Sequence, residues 1–194
     1  MREIMKMVVV LSLISGLSGA VLAWLKDATK NRIEEQVLTY VQGPALEQVF
    51  PPHDNNPITD RKRFEVPGAP GESVTIFPAL KDGKLAGYAM ETYGQGYGGD
   101  IGVIVGFDAG KDALTGIGVT TMKETPGLGT NVAKHGFTTQ FAGHPLEKLE
   151  LKSKGGSIDA VSGASYSSTG AITAVQKAVA LRDKLKDEIG KTWQ

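Results

Sequence analysis

A hydroxyl-rich segment stands directly before the longest helical pattern in the soluble part of the chain. Residues 157–169 read SIDAVSGASYSST, which brings serine hydroxyls and small residues into one short stretch. Hydroxyls, free backbone N–H groups and a helix N-terminus together favour an anion, phosphate above all. Gly163 and Ala164 would let such a ligand come close to the backbone. Ordinary helix capping by Ser167 or Ser168 explains the same serines, so the residues alone leave phosphate binding and capping open.

A glycine-rich segment upstream matches the sequence motif of a nucleotide-binding loop, but the residues that follow it are not predicted to form the helix that the motif requires. Gly94 to Gly99 read GQGYGG, which fits G-x-G-x-x-G. That motif binds a pyrophosphate only where it opens a helix, whose N-terminus then faces the phosphates. Here the next residues, DIGVIV, have the composition of a β-strand. The segment therefore predicts a hairpin loop rather than a dinucleotide site.

Composition and spacing argue against several other kinds of chemistry. The chain of 194 residues has no cysteine, which excludes disulfides, thiolate metal sites, cysteine-ligated clusters and a thiol nucleophile. His53, His135 and His144 lie far apart without metal-ligand spacing, so no metal site is predicted. No G-x-S-x-G elbow supports a serine hydrolase. The balance of 21 basic and 21 acidic side chains argues against nucleic acid as a partner.

The first element that must position these segments is a membrane anchor. Met7 to Leu25 is an uncharged apolar run that would span about 29 Å as a helix, the thickness of a hydrocarbon core. Trp24 and Lys26 stand at its far edge, where interface residues are expected. A signal peptide cleaved after Ala23 is the alternative. The apolar run is longer than a signal core, which favours a retained anchor over residues 1–26; the basic residues on its two sides do not decide its orientation.

The rest of the chain predicts one α+β domain. Residues 27–70 are expected to form an amphipathic helix (Asp27–Gln42) and a linker rich in proline and charge, before a domain over residues 71–194. Consecutive β patterns followed by a long terminal helix indicate an antiparallel-rich sheet with flanking helices rather than a parallel sheet. The predicted strands are Ser73–Phe77, Leu85–Tyr93, Ile101–Phe107, Leu114–Met122 and Lys148–Leu151, and the predicted helices are Asn131–Phe141 and Ser167–Ile189.

Two motifs resemble those of a known family of flavin-binding subunits. Asp159 to Ser165, DAVSGAS, resembles the flavinylation motif D-x-x-[ST]-G-A-[TS] of the FMN-binding subunits of the Rnf and sodium-translocating NADH:quinone reductase complexes. Glu124 to Gly129, ETPGLG, resembles the loop that lies against the flavin ring in that family. The glycine-rich GYGGDI of residues 96–101 is a third, softer match. Ser165 stands where the family usually has threonine, which keeps the nucleophilic oxygen and loses the methyl group.

The resemblance implies one FMN, attached covalently as a phosphoester by a flavin transferase that takes it from FAD. The attachment oxygen falls on Ser165, and Ser162 and Ser167 are the nearest rival hydroxyls. Asp159 either orients the loop or is read by the transferase. The residues implied to shape the phosphate loop are Ser162, Gly163 and Ala164, and those implied to contact the ring or the ribityl chain are Glu124, Thr125, Gly127, Leu128 and Gly129.

The resemblance covers nearly the whole chain, and the length is nearer to the G subunit of the Rnf complex than to the longer C subunit of the quinone reductase. It implies an electron-carrying subunit, not catalytic alone, of a membrane-bound, ion-translocating ferredoxin:NAD oxidoreductase, with the other membrane subunits as partners. The soluble domain is expected on the extracytoplasmic (periplasmic) side of the inner membrane, after a single span. The alternatives are the C subunit of the quinone reductase, a membrane-anchored binding or assembly module without a cofactor, and a stand-alone flavin reductase.

Overall fold

The computed structural model describes residues 1–193, apart from the side chain of Asn31. These residues form two compact units, of which the first is Met1–Leu38 and the second begins at Thr39. The second unit contains the β-sheet and every segment that the sequence analysis connects with chemistry.

A single helix makes up most of the first unit. Helix α1 runs over Arg2–Val37, so the amphipathic segment predicted after the apolar run is continuous with it. The most apolar 18-residue window within Arg2–Lys30 has a mean hydropathy of 2.2, and the stretch is long and apolar enough to cross a membrane. Its large apolar side chains are exposed, which suits contact with lipid. One π-helical turn, Leu38–Gln42, separates α1 from the short helix α2 (Gly43–Val49).

Five strands form one antiparallel meander in the second unit, in the order of the chain. They are β1 (Lys62–Glu65), β2 (Ser73–Lys81), β3 (Lys84–Gln95), β4 (Asp100–Asp108) and β5 (Leu114–Thr121). The last four confirm the strands predicted in the first part of the domain. Strand β1 lies in the segment that the sequence assigns to the linker. The sequence does not predict it, because Phe64 is its only apolar residue and one apolar residue shows no alternation.

Two of the elements predicted after the sheet differ from the structure. The predicted helix Asn131–Phe141 is divided into a 3₁₀ turn, one α-helical turn, α3 (His135–Thr138), and a second 3₁₀ turn, because glycine and threonine are poor helix formers. The predicted strand Lys148–Leu151 is wrong. Lys148 has a φ of 55°, a left-handed conformation that interrupts an extended chain, and within this segment only Leu151 makes a β-bridge.

The terminal helix, α4 (Ser165–Thr192), extends beyond the predicted helix at both ends. Capping by Ser167 or Ser168 is therefore wrong as a prediction, since both serines lie inside the first turn and the N-cap position is Ala164. Both hydroxyls instead bond to segments outside the helix. Helix α4 thus begins at an earlier residue of the serine-rich stretch than capping preferences indicate.

Helices α4 and α2 cover opposite faces of the sheet. Val103 and Val105 of β4 share one buried cluster with Ile172 of α4. The alternate residues of β4 face the other way, and a Cβ on one of them, Gly106, would lie 3.1 Å from the Cβ of Val49 in α2. Coverage on both faces explains why β4 is buried along almost its whole length.

Helix α4 lies directly against β3 at one end of the sheet. A Cβ on Gly94 would lie 2.8 Å from the backbone nitrogen of Ala174, and a Cβ on Gly170 would lie 2.7 Å from the carbonyl oxygen of Gln95. The Thr92 hydroxyl donates to the Ala174 carbonyl at 2.7 Å within the same contact. The two glycines permit this close approach, which fixes the start of α4 beside the turn between β3 and β4.

Arg182 fastens α4 to the opposite end of the sheet. Its side chain is only 8% exposed, donates to Asp183 at 3.0 Å and pairs with Asp112 in the turn between β4 and β5. Hydrogen bonds from Arg182 and Lys186 lower the pKa of the Asp112 carboxyl. The ionised form of Asp112 is therefore favoured by folding.

Replacing Arg182 by Met is expected to destabilise the fold by about 1–3 kcal/mol at pH 7, because a buried cation and its hydrogen bonds are lost. The decrease in the free energy of unfolding should be smaller in acid. Since the pKa of Asp112 is lowered in the folded state, its stabilising contribution exists above the ordinary carboxyl pKa of about 3.9 and disappears as the pH falls through the lowered value. Urea unfolding of the full-length chain in detergent at pH 7 and in acid measures both values.

The matched control is Lys186→Met, which removes an exposed cation at 3.4 Å from the same carboxylate. It is expected to change the free energy of unfolding by no more than about 0.5 kcal/mol. An Arg182→Met effect as small as that of the control, or one that does not change with pH, would contradict the role given to Arg182.

Candidate functional site

Three loops meet at the end of the sheet where α4 begins. They are residues 96–99 between β3 and β4, residues 122–129 after β5, and residues 157–164 before α4. The first is a hairpin loop, as predicted, and it adjoins the second because Gly102 of β4 pairs with Thr121 of β5. The third adjoins the first through the close packing of α4 on β3. The fold thus brings together all three segments that the sequence analysis connected with a flavin.

One buried carboxylate, that of Glu124 in the second loop, joins the first loop to the first turn of α4. Its Oε1 accepts a hydrogen bond from the backbone N–H of Gly98 at 2.9 Å. Its Oε2 accepts one from the hydroxyl of Ser167 at 2.6 Å, in the first turn of α4. Both oxygens are therefore occupied by donors of the protein. The predicted contact of Glu124 with the ring or the ribityl chain stays a prediction.

Glycines allow the loops to pack tightly around this carboxylate. A Cβ on Gly129 would lie 2.7 Å from both the Glu124 Oε2 and the Ser167 Oγ. A Cβ on Gly96 would overlap the Glu124 Oε1, and one on Gly98 would overlap the carbonyl oxygen of Lys123. Any side chain at these positions would push the loops apart.

The loop after β5 is held in a tight turn by its own hydrogen bonds. Gly127 has a φ of +74°, and its N–H donates to the Thr130 hydroxyl at 2.9 Å. The Asn131 amide donates to the Gly127 carbonyl at 2.9 Å, and the N–H of Leu128 donates to the Thr125 carbonyl at 3.2 Å. The turn leaves Thr125 and Leu128 exposed, so the loop presents an apolar side chain to solvent.

The segment before α4 is fastened at its start and at its end. Asp159 exchanges two hydrogen bonds with Gln140, its N–H donating at 2.7 Å and its carbonyl accepting at 3.2 Å. Its exposed carboxylate pairs with Lys152 at 2.6 Å. Further on, the N–H of Val161 donates to the Ser168 hydroxyl oxygen at 2.9 Å. These hydrogen bonds fix the conformation of the segment that leads into α4.

Burial divides the serines of this segment into two classes. Ser167 and Ser168 are buried, and each donates its hydroxyl hydrogen to another group, the Glu124 carboxylate and the Ala164 carbonyl respectively. Ser162 and Ser165 are exposed. Of the three hydroxyls considered for covalent attachment, Ser167 is thus engaged inside the protein, and Ser165 stands at the first position of α4.

The remaining members of the predicted phosphate loop lie between the two exposed serines. Gly163 is exposed and has a φ of +75°, and a Cβ there would lie 2.9 Å from the Leu128 Cδ1. Ala164 is buried, and its N–H donates to the Val161 carbonyl at 2.9 Å. The loop before α4 and the loop after β5 therefore touch at Gly163 and Leu128.

Two exposed tyrosines, which the sequence analysis did not single out, complete the surface around Ser165. Tyr97 lies in the hairpin loop and Tyr166 directly follows Ser165, and their ring centroids are 6.3 Å apart. The sequence offers one signal for them, since each is a large aromatic residue between two small ones in a predicted loop. Among the residues that the structure describes, no cluster of His, Asp or Glu could hold a metal ion.

A second polar cluster lies behind the loops, around the half-buried carboxylate of Glu91 on β3. The Gln42 amide donates to it at 2.6 Å, and the Thr120 hydroxyl donates to its other oxygen. Burial, followed by the charge of Glu91, raises the pKa of Tyr93 to about 12, so the Tyr93 hydroxyl stays protonated near neutral pH. The cluster ties the beginning of the second unit to the strand that leads into the hairpin loop.

Comparison with known proteins gives this arrangement a context. Residues 96–180, which contain all three loops, match the FMN-binding domain family. A protein of Methanosarcina acetivorans is 29% identical over 92% of this chain and 94% of its own length. One of Salmonella typhimurium is 30% identical over 92% of this chain and 90% of its own. Both are named as the G subunit of an ion-translocating oxidoreductase complex.

Two solved structures share the fold. The C subunit of the Na⁺-translocating NADH-quinone reductase from Parabacteroides distasonis has a TM-score of 0.55 at 21% identity, and covers 66% of this chain and 77% of its own. The NqrC protein of Shewanella oneidensis has a TM-score of 0.53 at 20% identity, and covers 75% of this chain and 73% of its own. At these identities the likeness supports the fold alone, and it confirms the predicted α+β domain.

By the family match and the fold, this part of the chain is an FMN-binding domain, and an apolar helix precedes it in the chain. At 30% identity over 90% of a relative's length, the chain belongs to the family of G subunits of ion-translocating oxidoreductase complexes. The family resemblance inferred from the two motifs is thereby confirmed.

Replacing Glu124 by Ala is expected to destabilise the domain by about 2–4 kcal/mol, because the Gly98 N–H and the Ser167 hydroxyl would both lose their partner. Glu124→Gln should recover most of the loss, since its amide can accept from Gly98 and donate to the Ser167 oxygen. Urea unfolding of the full-length chain in detergent measures the difference. Glu72→Ala, at an exposed glutamate, is the control. Equal stability of Glu124→Ala and this control would refute the bridging role.

Proposed function

We propose that this chain is the electron-carrying G subunit of a membrane-bound, ion-translocating ferredoxin:NAD oxidoreductase complex of the Rnf type. It relays electrons through one FMN that is bound covalently to Ser165, and it is not catalytic alone. The observation that carries the proposal is the exposed hydroxyl of Ser165 at the first position of α4, inside the part of the chain that matches the FMN-binding domain.

The residues around Ser165 suit the phosphate of FMN. The first N–H groups of a helix have no intrahelical acceptor, and the helix dipole adds partial positive charge at the same end. Helix α4 is 28 residues long and begins at Ser165, so its first turn favours a phosphate there. Ser162, Gly163 and Ala164 would shape the loop around that phosphate. Bound FMN supplies reversible electron transfer, whereas the protein supplies attachment, position and electrostatic tuning.

The loop after β5 supplies the proposed contacts to the rest of the cofactor. Leu128 is 44% exposed and offers apolar surface beside Gly163. Thr125 and Gly127 are exposed in the same turn, whereas Gly129 is buried beneath it. We assign these residues to the ring and the ribityl chain. Glu124 acts on the cofactor mainly by holding this turn against the hairpin loop and α4.

Covalent attachment requires a hydroxyl that an enzyme can reach. In the proposed reaction a flavin transferase joins the Ser165 Oγ to the FMN phosphorus of FAD, which breaks the pyrophosphate bond and releases AMP with the serine proton. Ser167 does not suit this reaction, because it is 2% exposed and donates to Glu124. Ser162 is the exposed rival. Asp159, exposed beside Lys152, is available for recognition by the transferase.

The proposed setting is the inner membrane, with the other membrane proteins of the complex as neighbours. Residues 1–26 would form a single span, residues 27–70 would connect it to the domain, and residues 71–194 would hold the cofactor on the extracytoplasmic side. Covalent attachment suits that location, since FMN lost outside the cytoplasm would not be replaced. Two relatives named as G subunits align over 90% or more of their length, which favours this assignment over the C subunit of the quinone reductase.

A membrane-anchored module without a cofactor is the second class of function, and Ser165→Ala separates it from the first. When the chain is produced together with its transferase, the wild type should fluoresce yellow-green in a denaturing gel and Ser165→Ala should not. Ser162→Ala, at the exposed rival, should retain the fluorescence. A wild type without fluorescence would support the module, and fluorescence that survives in Ser165→Ala would assign the ester to another hydroxyl.

A further inference from the structure

Two exposed aromatic side chains meet beside Ser165, although they come from loops far apart in the chain. Tyr97 is 76% exposed and Tyr166 is 75% exposed. Their ring centroids are 6.3 Å apart and the ring planes are inclined by 56°. The contact thus joins the hairpin loop between β3 and β4 to the first turn of α4.

The fold does not require these two rings. Neither belongs to the buried cluster under α4, and both leave most of their surface in solvent. Their neighbours are small, since Tyr97 stands among glycines and Tyr166 between serines. Tyrosine is enriched where one side of a ring meets a partner and its hydroxyl stays wet. The pair therefore has the character of a binding surface rather than of a core contact.

The backbone around both tyrosines is fixed, so the pair exists before any ligand binds. On one side, the N–H of Gly98 is held by the Glu124 carboxylate. On the other, Ser167 is held by the same carboxylate. Each tyrosine is the direct neighbour of one of these two anchored residues. Glu124 therefore sets the spacing of the two rings as well as that of the loops.

We propose that Tyr97 and Tyr166 form an aromatic platform on which the isoalloxazine ring of the Ser165-linked FMN packs. The inference rests on the proposed function and adds two positioning residues to it. Tyr166 follows the attachment residue directly, and the ribityl chain gives the ring the reach to leave the ester and lie on its neighbours. Leu128, which packs over Gly163, continues the apolar surface on the preceding side of Ser165.

The platform has a measurable consequence. Aromatic contact shifts the balance between a packed and an unpacked ring by about two- to tenfold for each pair. A tyrosine ring in contact with a flavin also quenches the flavin fluorescence. Removal of either ring should therefore raise the fluorescence yield of the native, covalently loaded protein by about two- to tenfold.

The test compares Tyr97→Leu, Tyr166→Leu and the double variant with the wild type, each purified in full length with FMN attached. Peptide mass first establishes that Ser165 carries FMN in every sample, and the fluorescence yield of native protein is then normalised to that amount. Both single variants should be brighter than the wild type, and the double variant brighter still. Tyr166→Phe should also be brighter than the wild type, because phenylalanine keeps an aromatic ring but lacks the phenol that quenches the flavin.

The matched control is Tyr40→Leu, at a tyrosine that is also 76% exposed but lies in the π-helical turn before α2. It should leave the yield unchanged, and the unfolding midpoints of all variants should agree with that of the wild type. Equal yields in the tyrosine variants and the control, with FMN on Ser165, would overturn the platform. Loss of attachment in Tyr166→Leu would also overturn it, since the transferase would then read this side chain. A wild type without FMN on Ser165 would refute the proposed function itself, and the platform with it.

Discussion

A single buried carboxylate determines the geometry of the site. Glu124 accepts one hydrogen bond from the hairpin loop between β3 and β4 and another from the first turn of α4, and so fixes the distance between two separately anchored segments. A buried carboxylate without donors is costly, and so are the two donors without the carboxylate, which makes the arrangement mutually dependent. At positions 96, 98 and 129 any side chain would overlap neighbouring atoms, so this packing requires glycine at all three. The site is therefore formed by the protein before a cofactor is attached.

Residues of the same type serve two purposes within a few positions. The buried hydroxyls of Ser167 and Ser168 hold the loops together, whereas the exposed hydroxyl of Ser165 remains free for chemistry. The difference comes from the phase of α4, which turns successive side chains toward the core or toward solvent. Because α4 is also packed on β3 through paired glycines, its first residue cannot shift without moving the sheet contact. The proposed attachment position is thus exposed in its side chain and rigid in its backbone.

The sequence alone predicts the elements that depend on local pattern. Apolar and β-branched runs identified β2 to β5, and the apolar stripe identified α4, because each of these faces a core. Strand β1 is not predicted, because one apolar residue among charged residues gives no alternating pattern. The start of α4 was placed too late, because capping preference was the only local guide to it. The bridge from Glu124 to Ser167 spans 43 positions, and the Tyr97–Tyr166 pair is equally non-local, so only the fold could reveal either contact.

The central claim is that Ser165, and no neighbouring hydroxyl, carries FMN. Trypsin should release residues 155–177 as one peptide that contains every candidate hydroxyl of the loop. Fragmentation mass spectrometry of this peptide from the native complex measures the position of the modification directly. Attachment at Ser165 predicts the mass of FMN less one water on the fragments that contain this residue, and on none that lack it. An unmodified peptide, or the same mass on Ser162 or Ser167, would contradict it.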